Sequence, residues 1–272
     1  MPTLHPAILL LPAVLLALPA SGQSLPARPA IAGISHVALY TRAKPAMQRF
    51  LGTVLGFRQD PHLDWSYHIN ATQGIEVEPP PTPAPADRVA HVAFATPDCE
   101  AMHAYLSARG VAVEERVNGA GATHWFGFRD AAGNPFEFVQ TAAFRDPPQD
   151  AVAQRLAEAG FVVTDAAAEA HLFGDVLGFR RLPAAKRPGL GRVAWQVSGS
   201  TDVVAYTVMA PGPRFAAQQA GAGNYYAFAV ADLRAAHRRL RAEGWHGGVL
   251  HDPEGTRVVL LRRAASRERG AE

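Results

Sequence analysis

Four side chains in the first half of the chain have the types and strand positions of a metal centre. His36 sits near the start of one alternating apolar stretch, and His91 near the start of a matching stretch. Glu76 and Glu137 each fall on the last strand of the unit that its His begins. Neutral imidazole supplies directional nitrogen donors, and carboxylate balances the charge of a divalent ion. Two His with one or two carboxylates therefore suit Fe, Mn, Zn, Ni or Co, and one divalent ion per chain is expected. Glu78 lies two residues beyond Glu76 on the same face, so either could point inward. His68 is a competing donor whose ordinary role is that of a strand or surface residue. The same Glu76 and Glu137 are candidates to move a proton, since a carboxylate in a ligand shell can act as a general base. His124 is a candidate acid–base group beside them, against the default of a surface His on a strand.

The elements that would position these groups recur. Ile34 to Tyr40 alternates as a strand. Pro45 to Val54 has its apolar residues at helical spacing and ends before Gly56. Trp65–Asn70 and Gly74–Glu78 read as strands. A Pro-rich linker over Pro79–Pro85 follows, and the pattern restarts. Arg88–Ala95 is a strand, Thr96-Pro97 opens a helix running to Gly110, and Val111–Arg116, His124–Phe128 and Phe136–Gln140 are strands. The later half repeats the order. Gly160–Thr164 is a strand, Asp165 caps a helix, Val193–Val197 and Val203–Met209 are strands, and Pro211–Gly223 is a loop. Tyr225–Val230 is a strand, Asp232 caps a helix ending at Gly244, and Arg257–Leu261 is the last strand. The fold class is α+β, with a β-α-β-β-β unit four times over in two domains, 33–145 and 150–263.

The duplication shows in the residues themselves. Val54-Leu55-Gly56-Phe57-Arg58 returns as Val176-Leu177-Gly178-Phe179-Arg180, from 54 to 176, an offset of 122. Asp130-Ala131-Ala132-Gly133 returns in type as Asp252-Pro253-Glu254-Gly255, from 130 to 252, the same offset. The boundary falls in the Pro-rich Arg145–Asp150 stretch. Counting from these anchors and from Asp98 and Asp232, the second half has Glu158 at the His36 position, Tyr225 at His91, Val259 at Glu137 and, more loosely, Ala205 at Glu76. A matching metal site is not expected there. Glu158, next to an apolar Val259, should reach solvent or a cation such as a nearby Arg.

Composition excludes several partners. The formal net charge of +2 comes from 26 basic and 24 acidic side chains, with no basic run interleaved with aromatics, so nucleic acid is not a partner. Cys99 is the one cysteine, which rules out an internal disulfide. Ala7–Pro19 is almost wholly apolar and has the length of a signal h-region, too short for a bilayer span of ~20 residues. Ala20-Ser21-Gly22 offers a cleavage site. Residues 1–22 thus read as a signal peptide of an exported protein, periplasmic or secreted, with no membrane partner once it is removed. A small-molecule substrate and a monomer or homodimer complete the expectation.

Ile34-Ser35-His36-Val37-Ala38, Val54-Leu55-Gly56-Phe57, His91-Val92-Ala93-Phe94 and Asp130 to Glu137 together resemble the vicinal oxygen chelate superfamily of glyoxalases, epimerases, extradiol dioxygenases and bleomycin-resistance proteins. The resemblance covers Gly33 to Arg262. It implies paired modules forming a cupped sheet around a divalent metal, with His36, His91 and Glu137 as ligands. In glyoxalase-like members a further ligand stands at the position of Glu76. It also implies an isomerase, epimerase or lyase that holds two neighbouring substrate oxygens and stabilises an enolate. A ferrous extradiol dioxygenase is the alternative, though the Tyr those enzymes carry shortly before the ligand Glu is missing from Gly127–Phe136. A metal-free ligand-binding protein of the bleomycin-resistance type is a third. One outcome is checked directly: intact-mass analysis of the natively expressed protein should show a chain starting near Gln23, and a chain starting at Met1 or Pro2 contradicts it.

Overall fold

Two curled mixed sheets carry the chain, one from each half. The structure is a computed structural model that describes residues 25–84, 88–142, 148, 151–183, 193–218 and 223–262. The expected signal peptide and most of the 145–150 boundary lie outside the described residues.

The first sheet begins with β1 (Gly33–Tyr40), helix α1 (Lys44–Gln48) continued by a π-helical segment over Arg49–Val54, and strands β2 (Arg58–Gln59), β3 (Ser66–His68) and β4 (Gly74–Glu78). A second unit follows with β5 (Val89–Ala95), helix α2 (Cys99–Ser107), β6 (Asn118–Ala120), β7 (Thr123–Arg129) and β8 (Pro135–Gln140). The strand order is β2-β3-β4-β1-β5-β8-β7-β6. Within each unit the first strand pairs parallel with the last, and the units join through the antiparallel β1–β5 pair. The second sheet repeats this with β9 (Arg155–Val163), α3 (Ala166–Ala170) and its π-helical continuation His171–Val176, β10 (Arg180–Arg181), β11 (Val193–Gln196) and β12 (Val203–Val208). Helix α4 (Pro213–Ala217), β13 (Tyr225–Val230), α5 (Leu233–Ala242), β14 (Leu250–His251) and β15 (Arg257–Arg262) complete it, in the order β10-β11-β12-β9-β13-β15-β14.

Both repeated motifs have a backbone cause. Gly56 and Gly178 follow the two π-helical segments with φ of 75° and 65°, the left-handed region that Gly enters without steric cost. Asp130 and Asp252 each accept the backbone N–H four residues on, from Asn134 at 2.7 Å and Thr256 at 2.9 Å, closing the turn before the last strand of their domain.

Four readings of the sequence are corrected. The fourth unit has three strands rather than four among the described residues. The 211–223 stretch contains α4, opened by Pro213 after Gly212. Val111–Arg116 makes only an isolated bridge, Val113 to Phe128 with Glu114 N donating to Gly127 O, while β6 pairs along Thr123–Trp125 of the same strand. The cap of α2 is Asp98, whose carboxylate accepts from Ala101 N, whereas Thr96 donates to Ala30 O.

One apolar core runs through both domains. Phe57 meets Phe228, Phe94 meets Phe179, and Phe136 meets Phe161 and Phe173 across the junction. Buried Gln73 ties the polar backbone there. Its amide donates to Ile34 O (3.0 Å) and Leu156 O (2.9 Å), and its carbonyl accepts from Leu156 N (3.1 Å). Gln73→Ala would leave buried backbone groups of both domains unpaired and should cost roughly 1–3 kcal/mol. An unchanged urea midpoint would show that this bridge does not hold the domains.

Candidate metal centre

The two imidazoles meet because the central strands cross in one register. On the antiparallel β1–β5 seam Ala38 stands opposite His91, and Ala93 stands opposite His36. Each ring therefore faces a methyl group, and the space left lets Nε2 of His36 lie 3.0 Å from Nε2 of His91. The odd residues Val37 and Leu39 point to the other face and anchor β1 in the core. The parallel partners bring the acids. Glu76 pairs with Ala38 and Glu137 with Ala93, so each unit delivers its carboxylate to the same place.

Glu76 Oε2 lies 3.6 Å from His36 Nε2, and Glu137 lies 3.7 Å from His36 Nε2 and 3.8 Å from His91 Nε2. One ligand atom from each of His36, Glu76 and His91 falls within 4.8 Å of the others, the one such group of three among the described residues. Glu78 approaches the other side of the ring, 3.8 Å from Nδ1 of His91. That separates the two acids of β4: Glu76 is on the Nε2 side and Glu78 behind His91. His68 turns to Asp60, at 3.1 Å. His124 is corrected. Its neighbours Thr123 and Trp125 line the cavity next to the centre and His124 does not, because alternation along β7 turns it to the opposite face. Its backbone carbonyl accepts from the Cys99 thiol.

Burial makes this cluster call for a cation. It holds the His36 imidazole down to about 4, and with His36 beside it lowers His91 to about 3, so both rings are neutral donors. Burial lifts the Glu76 carboxyl to about 7. Burial, followed by repulsion from Glu76, Glu78 and Glu114, lifts Glu137 to about 9. Two neutral nitrogens and two carboxyls that resist ionising without a counter-charge are what a divalent ion would bind, releasing protons as it does so. The residues fit the metal implied by the resemblance.

A cavity of about 800 Å³ opens onto His36, Glu76, His91 and Glu137. The second domain braces its rim. Glu254 accepts hydrogen bonds from Thr41 Oγ1 (2.6 Å), Arg42 N (2.7 Å) and Ala43 N (2.9 Å), which fixes the start of α1 between the cavity residues Thr41 and Lys44. Nothing in the sequence of Glu254 alone marks it for this role, since the contact spans the domain junction.

The sequence profile of the Glyoxalase/Bleomycin resistance protein/Dioxygenase superfamily matches residues 33–138. The first domain belongs to that superfamily. No match was found among curated proteins. Among solved structures the chain is similar to the homoprotocatechuate 2,3-dioxygenase of Brevibacterium fuscum in complex with 3,4-dihydroxyphenylacetate, at 17% identity and TM-score 0.64, covering 87% of this chain and 82% of that one. It is also similar to the Mn(II)-bound glyoxalase of Novosphingobium aromaticivorans, at 16% identity and TM-score 0.62, covering 85% and 81%. At these identities the likeness is one of fold.

The second domain repeats the strand order of the first from its outer edge to β15 and fills the place of the centre. Its registers set Glu158 opposite Ala227, Tyr225 opposite Gly160, Ala205 beside Gly160 and Val259 beside Ala227. These are the positions of His36, His91, Glu76 and Glu137. Of the two settings expected for Glu158, solvent or a cation such as a nearby Arg, solvent is overturned: it is 1% exposed and accepts a 2.5 Å hydrogen bond from the Tyr225 hydroxyl. The Tyr225 ring lies where a Cβ on Gly160 would be, so a larger residue there would expel it.

Metal should bind at one equivalent per chain, with His91→Ala abolishing it and Tyr225→Ala leaving it intact; two tightly bound equivalents would contradict this. Calorimetry in buffers of different ionisation enthalpy should show proton release on binding, with affinity rising as pH approaches about 9. Without metal, the raised carboxyls favour folding below 4.5 and lose that contribution as pH rises through about 7 and 9. The depressed imidazoles act oppositely, costing stability as pH falls below 6.5. The metal-free melting temperature should therefore peak near pH ~6 and the metal-loaded one should stay high above it. A metal-free profile that keeps rising to pH 9 is incompatible with these shifts.

Proposed function

We propose that the protein is a divalent-metal-dependent enzyme of the isomerase, epimerase or lyase type. It acts on a small substrate that presents two neighbouring oxygens. The observation that carries this reading is the position of Glu76, which groups with the imidazole pair while Glu137 approaches both rings at 3.7 and 3.8 Å. A bound divalent ion would supply positive charge against the oxyanion of an enolate.

The remaining work falls to the chain's own groups. His36, His91, Glu76 and Glu137 would hold the ion. Glu78 would orient His91 from its Nδ1 side, fixing which nitrogen faces inward. Glu76 lines the cavity and, as a carboxylate of the ligand shell, would take the proton from the carbon next to the substrate carbonyl and return it on the same or the neighbouring carbon. The two Nε2 atoms lie 3.0 Å apart, close enough for one ion to take a nitrogen from each ring.

A second reading is supported by His36, His91 and Glu137 taken alone, the two-His, one-carboxylate set of ferrous oxygenases, on a fold shared with a dioxygenase. Glu76→Gln separates the two. With Glu76 as base, the variant should keep its metal and lose at least 100-fold in exchange of the substrate's carbon-bound proton with deuterated solvent. Retained exchange removes Glu76 as the base. Oxygen uptake by the ferrous form, undiminished in Glu76→Gln, would establish the dioxygenase reading instead.

A further inference from the structure

The lining of the cavity describes the body of its ligand as well as the chelating end. His36, Glu76 and His91 cluster within that lining, with Glu137 beside them. Along the wall, alternation on β7 turns Thr123 and Trp125 into the cavity, beside Val139 of the paired strand. At the lip, Leu63 and Trp65 come from the turn before β3. Leu63 is 41% and Trp65 37% exposed, and they are two of the five exposed large apolar side chains among the described residues. Two such side chains on the rim of one cavity cost hydrophobic free energy until something apolar covers them. Two indoles on one cavity favour a flat partner, because ring faces and edges gain from stacking beyond simple burial.

Charge narrows the class further. Glu76, Glu78 and Glu137 all line the cavity, and Lys44 is the one Lys or Arg among its described lining residues. Its ammonium is already held by Asp64 at 2.7 Å. A phosphate or a second carboxylate on the ligand would find no bidentate Arg and no uncommitted Lys among the described lining residues, and three acids nearby. The other polar groups on the wall, Thr41 and Thr123, are neutral.

We propose that the cavity takes an aromatic chelator, with a flat aryl body held between Trp65 and Trp125, its two oxygens toward His36, His91 and Glu137, and no charged group elsewhere. The chelating end rests on the proposed function, whereas the aryl end rests on the cavity wall alone.

Three small probes with the same chelating oxygens test it, titrated by calorimetry into the Mn-loaded full chain under argon. Benzohydroxamate should bind about tenfold or more tightly than acetohydroxamate, since only the ring differs. 4-Carboxybenzohydroxamate should bind several-fold more weakly than benzohydroxamate. Trp65→Leu and Trp125→Leu should each reduce the phenyl-to-methyl ratio while keeping one metal per chain. A wild-type ratio near one overturns the aryl assignment, and tighter binding of the carboxylated probe overturns the exclusion of charge. Neither comparison needs a variant to fold. 2-Naphthol, which has no chelating pair, is titrated into protein without metal. If the chain takes up no metal yet binds 2-naphthol with a Trp65 or Trp125 dependence, the metal reading fails and the aryl clamp stands. If metal binds and 2-naphthol does not, the clamp fails alone.

Discussion

The antiparallel seam between β1 and β5 is the contact on which the rest of the site depends. Each unit supplies a His two residues before the small residue that pairs with its acid: His36, Ala38 and Glu76 in one, His91, Ala93 and Glu137 in the other. A slip of one residue along that seam would send one imidazole into the core face occupied by Val37 and Val92. The apolar packing behind the sheet fixes the register. The register in turn brings two nitrogens to 3.0 Å without any bond between the strands' side chains being needed to steer them.

Buried acid is the common problem of the two halves, and they solve it differently. In the first domain, carboxyls that burial would keep protonated can ionise against a divalent cation. In the second, Glu158 occupies the equivalent of His36 and is satisfied in part by a hydroxyl from Tyr225, the equivalent of His91. The Tyr ring needs Gly160 beneath it where the first domain has Ala38. A buried polar group costs far less once hydrogen-bonded, so a copy that lost its ligands could keep its sheet by filling the vacated space. The second domain thus contributes the shared core, the Gln73 junction and the Glu254 brace rather than a second centre.

Much of this was legible in the chain. The duplicated Leu-Gly-Phe and Asp turns, the strand alternation around His36 and His91, and the different residues at the equivalent positions 158, 225 and 259 all come from local chemistry: glycines where φ is positive, side chains alternating across a strand, and the inability of Val to coordinate. Those constraints act over a few residues, so the order of residues expresses them directly. Tertiary structure alone decided the rest. It separated Glu76 from Glu78, which share a face of β4 and differ only in which side of an imidazole each meets. It turned His124 away from the cavity, sealed Glu158 beneath Tyr225 and brought Glu254 across to the start of α1. Each of these outcomes depends on a neighbour distant in sequence, whose distance and burial exist only once the sheets have curled and packed.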